Sequence, residues 1–148
     1  MLITIIAIVM SSKNTILYAE DDSDDLFMVK QAFEKYNKDI DIIHAYDGFE
    51  ALEYLNKVKG TDELPCLIIL DINMPGMNGR EALIRIKQSD DFKNIPIVLF
   101  TTSSSETDRS FARKWDASFI TKPLIYSELE ELAKSFMHLC NTEINKRA

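Results

Sequence analysis

The chain has 148 residues, of which 46% are apolar, so it can form one domain with a core of its own but is too short for two. Its net charge is -7 and no segment concentrates Lys and Arg, so nucleic-acid binding is not expected. The two cysteines, Cys66 and Cys140, are far apart in the sequence and form no CxxC pair. Their spacing argues against a zinc site or a disulfide and favours a reducing, cytoplasmic location.

Residues 1–13 form an N-terminal extension that opens with an apolar run, Met1–Met10. This run is shorter than the roughly 20 residues that a membrane-spanning helix needs. It also lacks a preceding basic region and a following small-residue cleavage site, so we expect neither a membrane span nor a signal peptide. Met10 is the preferred start of translation, and N-terminal sequencing of the native protein would test this.

From residue 14 onwards, short apolar runs alternate with longer segments of helical periodicity. This alternation predicts an α/β fold, a doubly wound parallel sheet of five strands with five helices on its faces. Nearly continuous apolar runs are typical of strands that are buried on both faces. The predicted strands are Thr15–Ala19, Ile40–Ala45, Leu67–Leu70, Ile97–Phe100 and Phe119–Thr121.

Helix start signals lie between the predicted strands. Ser23 is the predicted N-cap of the first helix, and Asp24 and Asp25 follow in its first turn, where negative charge complements the helix dipole. We interpret both aspartates in this structural way. Residues 78–81 and residues 103–106 each have the spacing of a capping box, the second ahead of the fourth helix.

The last predicted helix has the clearest apolar face, which we interpret as a core face. This face comprises Leu129, Leu132, Ala133, Phe136, Leu139 and Cys140. The polar residues 141–148 follow it and are expected to fray. The predicted domain therefore spans residues 14–140.

Four of the five predicted strands are followed by polar residues that could form a site. Glu20 and Asp21 come after the first strand, Asp71 after the third, Thr101 after the fourth and Lys122 after the fifth. The carboxyl ends of parallel strands lie at one edge of the sheet, where ligands of such folds bind. We therefore expect these five side chains to converge.

The chemistry of these residues predicts a site for a phosphoryl group beside Mg²⁺. Three converging carboxylates repel one another unless a cation is present, and such oxygen ligands suit Mg²⁺. A lysine and a threonine hydroxyl can bind phosphate oxygens. No glycine pair fits a nucleotide-binding loop, so the acceptor is expected to be a side chain. Asp71 is the candidate, because a carboxylate can form an aspartyl phosphate.

These features resemble the receiver domains of bacterial two-component response regulators. The resemblance runs from about residue 14 to residue 140. It rests on four motifs in order: ILYAEDD (16–22), LIILDINMPGMNG (67–79), PIVLFTT (96–102) and FITKP (119–123). The polar connector at residues 57–65 further resembles the small single-domain regulators that partner phytochrome-type histidine kinases.

The resemblance implies a flavodoxin-like fold with strand order 2-1-3-4-5, and it implies roles at the acidic end of the site. Asp71 would be the phosphoryl acceptor. Asp21 would bind Mg²⁺ directly, Glu20 would act through a metal-bound water, and Asn73 would add its backbone carbonyl.

The resemblance also implies roles for the residues that follow the last two strands. Lys122 would bind the phosphoryl oxygens, and the Lys122–Pro123 peptide bond would be cis. Thr101 would be the switch hydroxyl, and Phe119 the aromatic side chain that rotates inward. The readout would be the face formed by the fourth helix, the fifth strand and the fifth helix.

The partners implied are a sensor histidine kinase as phosphoryl donor and, downstream, a target protein or a histidine phosphotransfer protein. The resemblance also admits a homodimer through the fourth and fifth helices. Such a protein is a cytoplasmic phosphoacceptor that promotes its own phosphorylation and dephosphorylation, not a turnover enzyme.

Three other functions share features with this prediction. A degenerate receiver would act as an interaction module that needs no phosphorylation. A phosphatase of the haloacid dehalogenase type needs a general acid two residues after its nucleophile, and Asn73 cannot donate a proton there. A flavin site is disfavoured because the first strand is followed by acidic residues instead of a phosphate-binding loop.

Trp115 has two interpretations, an exposed anchor on the signalling face or a packed side chain.

Overall fold

The structure, a computed structural model, describes residues 14–147, with side chains described to residue 141. The interpretation of Met1–Met10 lies outside these residues. The strands are β1 (Asn14–Ala19), β2 (Ile40–Ala45), β3 (Leu67–Leu70), β4 (Ile97–Thr101) and β5 (Ser118–Thr121). The helices are α1 (Ser23–Tyr36), α2 (Gly48–Val58), α3 (Gly79–Lys87), α4 (Glu106–Lys114) and α5 (Tyr126–Arg147). Among these helices, none has the length and apolar character to cross a bilayer.

The five strands form one parallel sheet in the order β2-β1-β3-β4-β5, which confirms the predicted fold class and strand order. The order reverses between β1 and β3, which are neighbours in the sheet. Their last residues, Ala19 and Leu70, lie opposite each other in register. Residues that follow these two strands are therefore placed side by side at the carboxyl edge of the sheet.

The sheet lies between two layers of helices, and β3 is buried on both faces. Ile68 and Leu70 contribute to one core together with buried side chains of α2, α3 and α4. Leu67 and Ile69 contribute to the opposite core with side chains of α1 and α5. Alternate residues of a strand point to opposite faces, so a continuous apolar run is what this central position requires.

The N-cap of α1 is Asp22 and not the predicted Ser23. Asp22 has an extended backbone, and its carboxylate accepts hydrogen bonds from the backbone N–H groups of Asp24 and Asp25. An aspartate satisfies these N–H groups as well as a serine does, so composition alone could not choose between neighbours. Ser23 is instead the first helical residue.

The two predicted capping boxes have different outcomes. Asn78 caps α3 by accepting the N–H of Glu81, at 3.0 Å. The cap residue of α4 is Ser105, without a side-chain cap bond. The prediction for residues 103–106 was wrong because the Ser103 hydroxyl donates to the buried carboxylate of Asp108, at 2.8 Å.

The end of α4 shows how Trp115 is used. Trp115 is the C-cap residue, is half-buried and packs against the core beneath α2, α3 and α4. Asp116 follows with a φ of 52°, a left-handed conformation that glycine adopts more easily. The structure therefore favours the packed interpretation of Trp115.

The last helix extends further than predicted. α5 continues to Arg147, whereas the sequence favoured fraying after Cys140. Residues 141–147 are polar except for Ile144 and contain neither Gly nor Pro, so nothing in the sequence ends the helix there.

Cys66 and Cys140 form a disulfide, so the expectation from their spacing was wrong. Cys66 immediately precedes β3 and Cys140 lies in α5, and both are buried in the same core. Their Cα atoms are 4.8 Å apart, within the range that a disulfide spans. Sequence spacing gave no indication because the fold, not the local sequence, brings the two residues together.

Candidate functional site

The three carboxylates predicted to converge do so at the carboxyl edge of β1 and β3. Glu20 and Asp71 are buried and Asp21 is half-buried. One oxygen from each lies within 4.8 Å of the others. The backbone N–H of Asp71 donates to the carbonyl of Ala19 at 3.0 Å, so the sheet itself fixes the spacing. The site is built by strand register, not by a flexible loop.

Glu20 is held rigidly by groups that donate to it. The Tyr18 hydroxyl donates to Glu20 Oε2 at 3.0 Å, and the backbone N–H of Asp22 donates to Oε1 at 3.1 Å. Burial and the charge of Glu20 raise the pKa of Tyr18, so its hydroxyl remains a donor. His44 Nε2 lies 2.6 Å from the backbone carbonyl of Glu20, which gives this histidine a structural role.

Lys122 lies among the carboxylates. Its Nζ is 2.7 Å from Glu20 Oε2, 2.8 Å from Asp25 Oδ2 and 3.6 Å from Asp71 Oδ2. Burial alone would lower the pKa of Lys122. The bonds to Asp25 and Glu20 and the charge of Asp71 outweigh burial and raise it, so the ammonium stays charged.

The peptide bond that follows Lys122 differs from the expectation. Lys122–Pro123 is trans, as are all peptide bonds of residues 14–147. The trans isomer is the intrinsically favoured one by roughly 0.5–1 kcal/mol. With this peptide bond trans, the Lys122 ammonium still contacts the acidic residues of the site.

Asp71 is the buried carboxylate whose ionisation the protein disfavours. Burial raises its pKa to about 6, the charge of Glu20 acts in the same direction, and Lys122 opposes them in part. One lysine is therefore too little positive charge for the carboxylates at this edge. The chemistry of the donor set, three hard oxygen ligands, matches a divalent cation.

A glycine makes the close packing around Asp71 possible. The backbone N–H of Gly79 donates to the carbonyl of Ile72 at 3.1 Å and closes the loop after β3. A Cβ atom on Gly79 would collide with the backbone carbonyl of Asp71. The start of α3 can approach the site only because residue 79 has no side chain.

Thr101 and Phe119 lie on the neighbouring strands. Thr101 ends β4, is fully buried, and its Oγ1 accepts the N–H of Ser103 at 3.3 Å. Phe119 of β5 is half-buried, and the guanidinium of Arg109 lies 4.8 Å from its ring centroid. Asn73 is exposed and lines a cleft of about 480 Å³ with Asn78, Arg80 and Ser103 among others.

Sequence reasoning missed two carboxylates that form ion pairs in or beside the site. Asp25 was interpreted only as a helix-dipole residue, yet it binds Lys122. The first turn of α1 follows β1 directly, so its position at the same sheet edge was an available signal. Asp108 of α4 is buried and forms an ion pair with Arg80 of α3, for which the sequence contains no local signal.

Comparison with known proteins identifies the family. The family model described as "Response regulator receiver domain" matches residues 16–134. The chain is 34% identical to the probable methanogenesis regulatory protein FilR2 of Methanothrix harundinacea over 118 residues, 78% of this chain and 76% of that protein. It is 40% identical to response regulator Rcp1 of Synechocystis over 96 residues, 63% of this chain and 65% of Rcp1.

Solved structures agree with this assignment. The phosphorylated cyanobacterial phytochrome response regulator RcpA superposes with a TM-score of 0.75 at 30% identity, covering 84% of this chain and 91% of RcpA. The Mn²⁺-bound form of Rcp1 gives a TM-score of 0.72 at 31% identity, covering 82% of this chain and 90% of that chain. With the parallel sheet and the acidic cluster at its edge, these matches show that the chain belongs to the response regulator receiver family.

Proposed function

We propose that Asp71 accepts a phosphoryl group from the phosphohistidine of a sensor kinase. The observation that carries this proposal is the position of Asp71, a buried carboxylate between an acidic pair and a lysine at the sheet edge. A carboxylate nucleophile in a site of this composition can form an aspartyl phosphate. The protein is then a signalling phosphoprotein and not a turnover enzyme.

Glu20, Asp21 and Asp71 would hold the metal that the reaction needs, and Mg²⁺ is the proposed ion. Their convergence within 4.8 Å and the raised pKa of Asp71 both fit a divalent cation. Asp21 would bind it directly, Glu20 through water, and Asn73 through its backbone carbonyl. Mg²⁺ suits a site with few protein ligands, because it retains several waters and binds phosphate oxygens. When bound, Mg²⁺ would neutralise charge on the phosphoryl oxygens.

The chain's own residues then supply positioning and charge. The Asp71 carboxylate attacks the phosphorus in line with the departing histidine nitrogen, and the Lys122 ammonium stabilises the phosphoryl oxygens. Thr101 donates its hydroxyl to the new phosphoryl group. Phe119 moves into the space that Thr101 vacates, and the change reaches α4, β5 and α5.

The partners proposed are a histidine kinase, of the phytochrome type given the similarity to RcpA and Rcp1, and a downstream protein or histidine phosphotransfer protein. A cytoplasmic location is proposed from a kinase partner of this class alone, because the disulfide between Cys66 and Cys140 removes the argument from unpaired cysteines. A homodimer through α4 and α5 is part of the same proposal.

The test is intact mass spectrometry after incubation with phosphoramidate and Mg²⁺. We expect the mass of one phosphoryl group to be gained by the wild type and not by Asp71→Asn or by a sample with chelator. A folded wild type that gains nothing, beside a control receiver that does, would contradict the proposal. The alternative of a degenerate interaction module would then be favoured.

A further inference from the structure

We infer that Asp25 is a positioning residue for phosphoryl transfer, which holds the Lys122 ammonium in the orientation that the phosphoryl group requires. This inference rests on the proposed function and adds a residue to its machinery. Asp25 lies in the first turn of α1, outside the cluster formed by Glu20, Asp21 and Asp71.

The contacts of Lys122 show how it is held. Its Nζ is 2.7 Å from Glu20 and 2.8 Å from Asp25, and both are hydrogen-bond distances. The distance of 3.6 Å to Asp71 Oδ2 is too long for a hydrogen bond. The lysine is therefore tied to two carboxylates on either side and only faces the third.

The number of N–H donors on the ammonium shows that Lys122 can bind a further oxygen while it keeps both partners. A lysine ammonium has three N–H donors. Glu20 and Asp25 occupy two, which leaves one for an oxygen that arrives on Asp71. The third N–H is not bonded to Asp71, whose Oδ2 lies 3.6 Å from Nζ, so Lys122 can donate to a phosphoryl oxygen on Asp71 without releasing either partner.

Without Asp25, Lys122 would keep only one close partner on a flexible four-carbon stem. Its Nζ lies 5.9 Å from the ring centroid of Phe100, a contact that does not fix the direction of its N–H groups. The side chain of Asp25 is 39% exposed, whereas that of Lys122 is 11% exposed. Asp25 is thus the more exposed partner of the pair, and its bond keeps the Lys122 side chain from turning towards solvent.

Charge and positioning make opposite predictions, which allows a decisive experiment. The incoming phosphoryl group is negative, so removal of a nearby carboxylate should speed its acceptance if charge alone matters. If Asp25 positions Lys122, its removal should slow acceptance. Asp24 provides the matched control, because it is an exposed carboxylate in the same helical turn with no bond to Lys122.

The first measurement is the rate of phosphate uptake from phosphoramidate at saturating Mg²⁺, followed by intact mass. We expect Asp25→Ala to be slower by about tenfold, Asp25→Asn to recover most of the rate because its amide oxygen still accepts, and Asp24→Ala to match the wild type. An Asp25→Ala variant as fast as the wild type, or faster, would overturn the inference. A wild type that takes up no phosphate would refute the proposed function instead.

The second measurement needs neither metal nor phosphate. The side-chain ammonium of Lys122 is buried and hydrogen-bonded, so its N–H signal should be visible by ¹H–¹⁵N NMR of the magnesium-free protein and assignable by its loss in Lys122→Arg. We expect the signal to be lost through solvent exchange in Asp25→Ala and retained in Asp24→Ala. An unchanged signal in Asp25→Ala would overturn the positioning role, whatever happens to the rate.

Discussion

Asp71 is harder to ionise in the folded protein than in the unfolded chain, because burial and the charge of Glu20 raise its pKa to about 6. The Asp71 carboxyl therefore binds more protons in the folded protein than in the unfolded chain between about pH 4 and its raised pKa. The contribution of Asp71 to the free energy of unfolding falls as pH rises through this window, and nearly all of that loss is present at neutral pH. Ionisation of Asp71 lowers the free energy of unfolding, and the proposed chemistry needs this carboxylate in its ionised form.

Asp71→Asn should remove this cost. In magnesium-free buffer we expect the variant to be more stable than the wild type at pH 7.5 by about 1–3 kcal/mol, with the difference disappearing near pH 4. Urea unfolding at the two pH values measures it. Asp24→Asn, at an exposed position in α1, is the control and should not be more stable than the wild type at pH 7.5. An equal effect of Asp71→Asn at both pH values would contradict this account.

At the residue scale, the site residues that could be predicted from the sequence are those that directly follow a strand. Glu20, Asp71 and Lys122 each follow a strand, and a parallel sheet brings such positions together whatever their separation in sequence. Asp25 was missed because an acidic first turn has an ordinary explanation in the helix dipole. The position of its helical turn directly after β1 indicated that Asp25 lies at the same sheet edge, but the bond to Lys122 itself depends on the direction in which α1 leaves β1.

At the scale of elements, the start of α1 depends on Asp22. Asp22→Ala removes the acceptor of two backbone N–H groups, so we expect a loss of about 1 kcal/mol in the free energy of unfolding. Ser23→Ala removes no cap and should stay within about 0.5 kcal/mol of the wild type. Chemical denaturation of both variants checks the assignment, and a larger loss in Ser23→Ala would restore Ser23 as the cap.

The disulfide joins the start of β3 to α5 across 74 positions of sequence. A closed loop of this length restricts the unfolded chain, so Cys140→Ser should lower the free energy of unfolding by about 2–4 kcal/mol under non-reducing conditions. Cys66→Ser should have a similar effect, and the double variant should be no worse than either single one. Additive losses would show that the two sulfurs act separately, and thiol labelling of the denatured wild type would confirm it.

The elements themselves were largely predictable and their exact ends were not. β2 and β3 have the predicted bounds, and a polar residue marks one end of each strand, Asp39 before β2 and Asp71 after β3. β4 includes Thr101, which sequence treated as the residue after the strand, because ladder pairing with Thr121 continues through it. The helical continuation to Arg147 was missed because a polar run indicates a tail and an exposed helix equally well.

At the scale of the whole molecule, the only tryptophan lies at the far end of α4 from the site. Trp115 packs against the core that also contacts Phe119. If phosphorylation moves α4 and Phe119 as proposed, Trp115 fluorescence should change on addition of phosphoramidate and Mg²⁺. Asp71→Asn should show no change under the same conditions. A wild type that gains phosphate with constant fluorescence would limit the rearrangement to the site.

The collision that a side chain at residue 79 would make with the Asp71 carbonyl has a consequence for mutational scanning. Every single-base change in a glycine codon that alters the amino acid introduces a Cβ, so no missense variant one base away avoids this collision. In a screen scored by phosphate uptake, position 79 would be as intolerant as Asp71, although glycine has no chemistry to contribute. Gly79 would therefore score as a functional residue in such a screen, although the property being selected is the close backbone packing between the end of β3 and the start of α3.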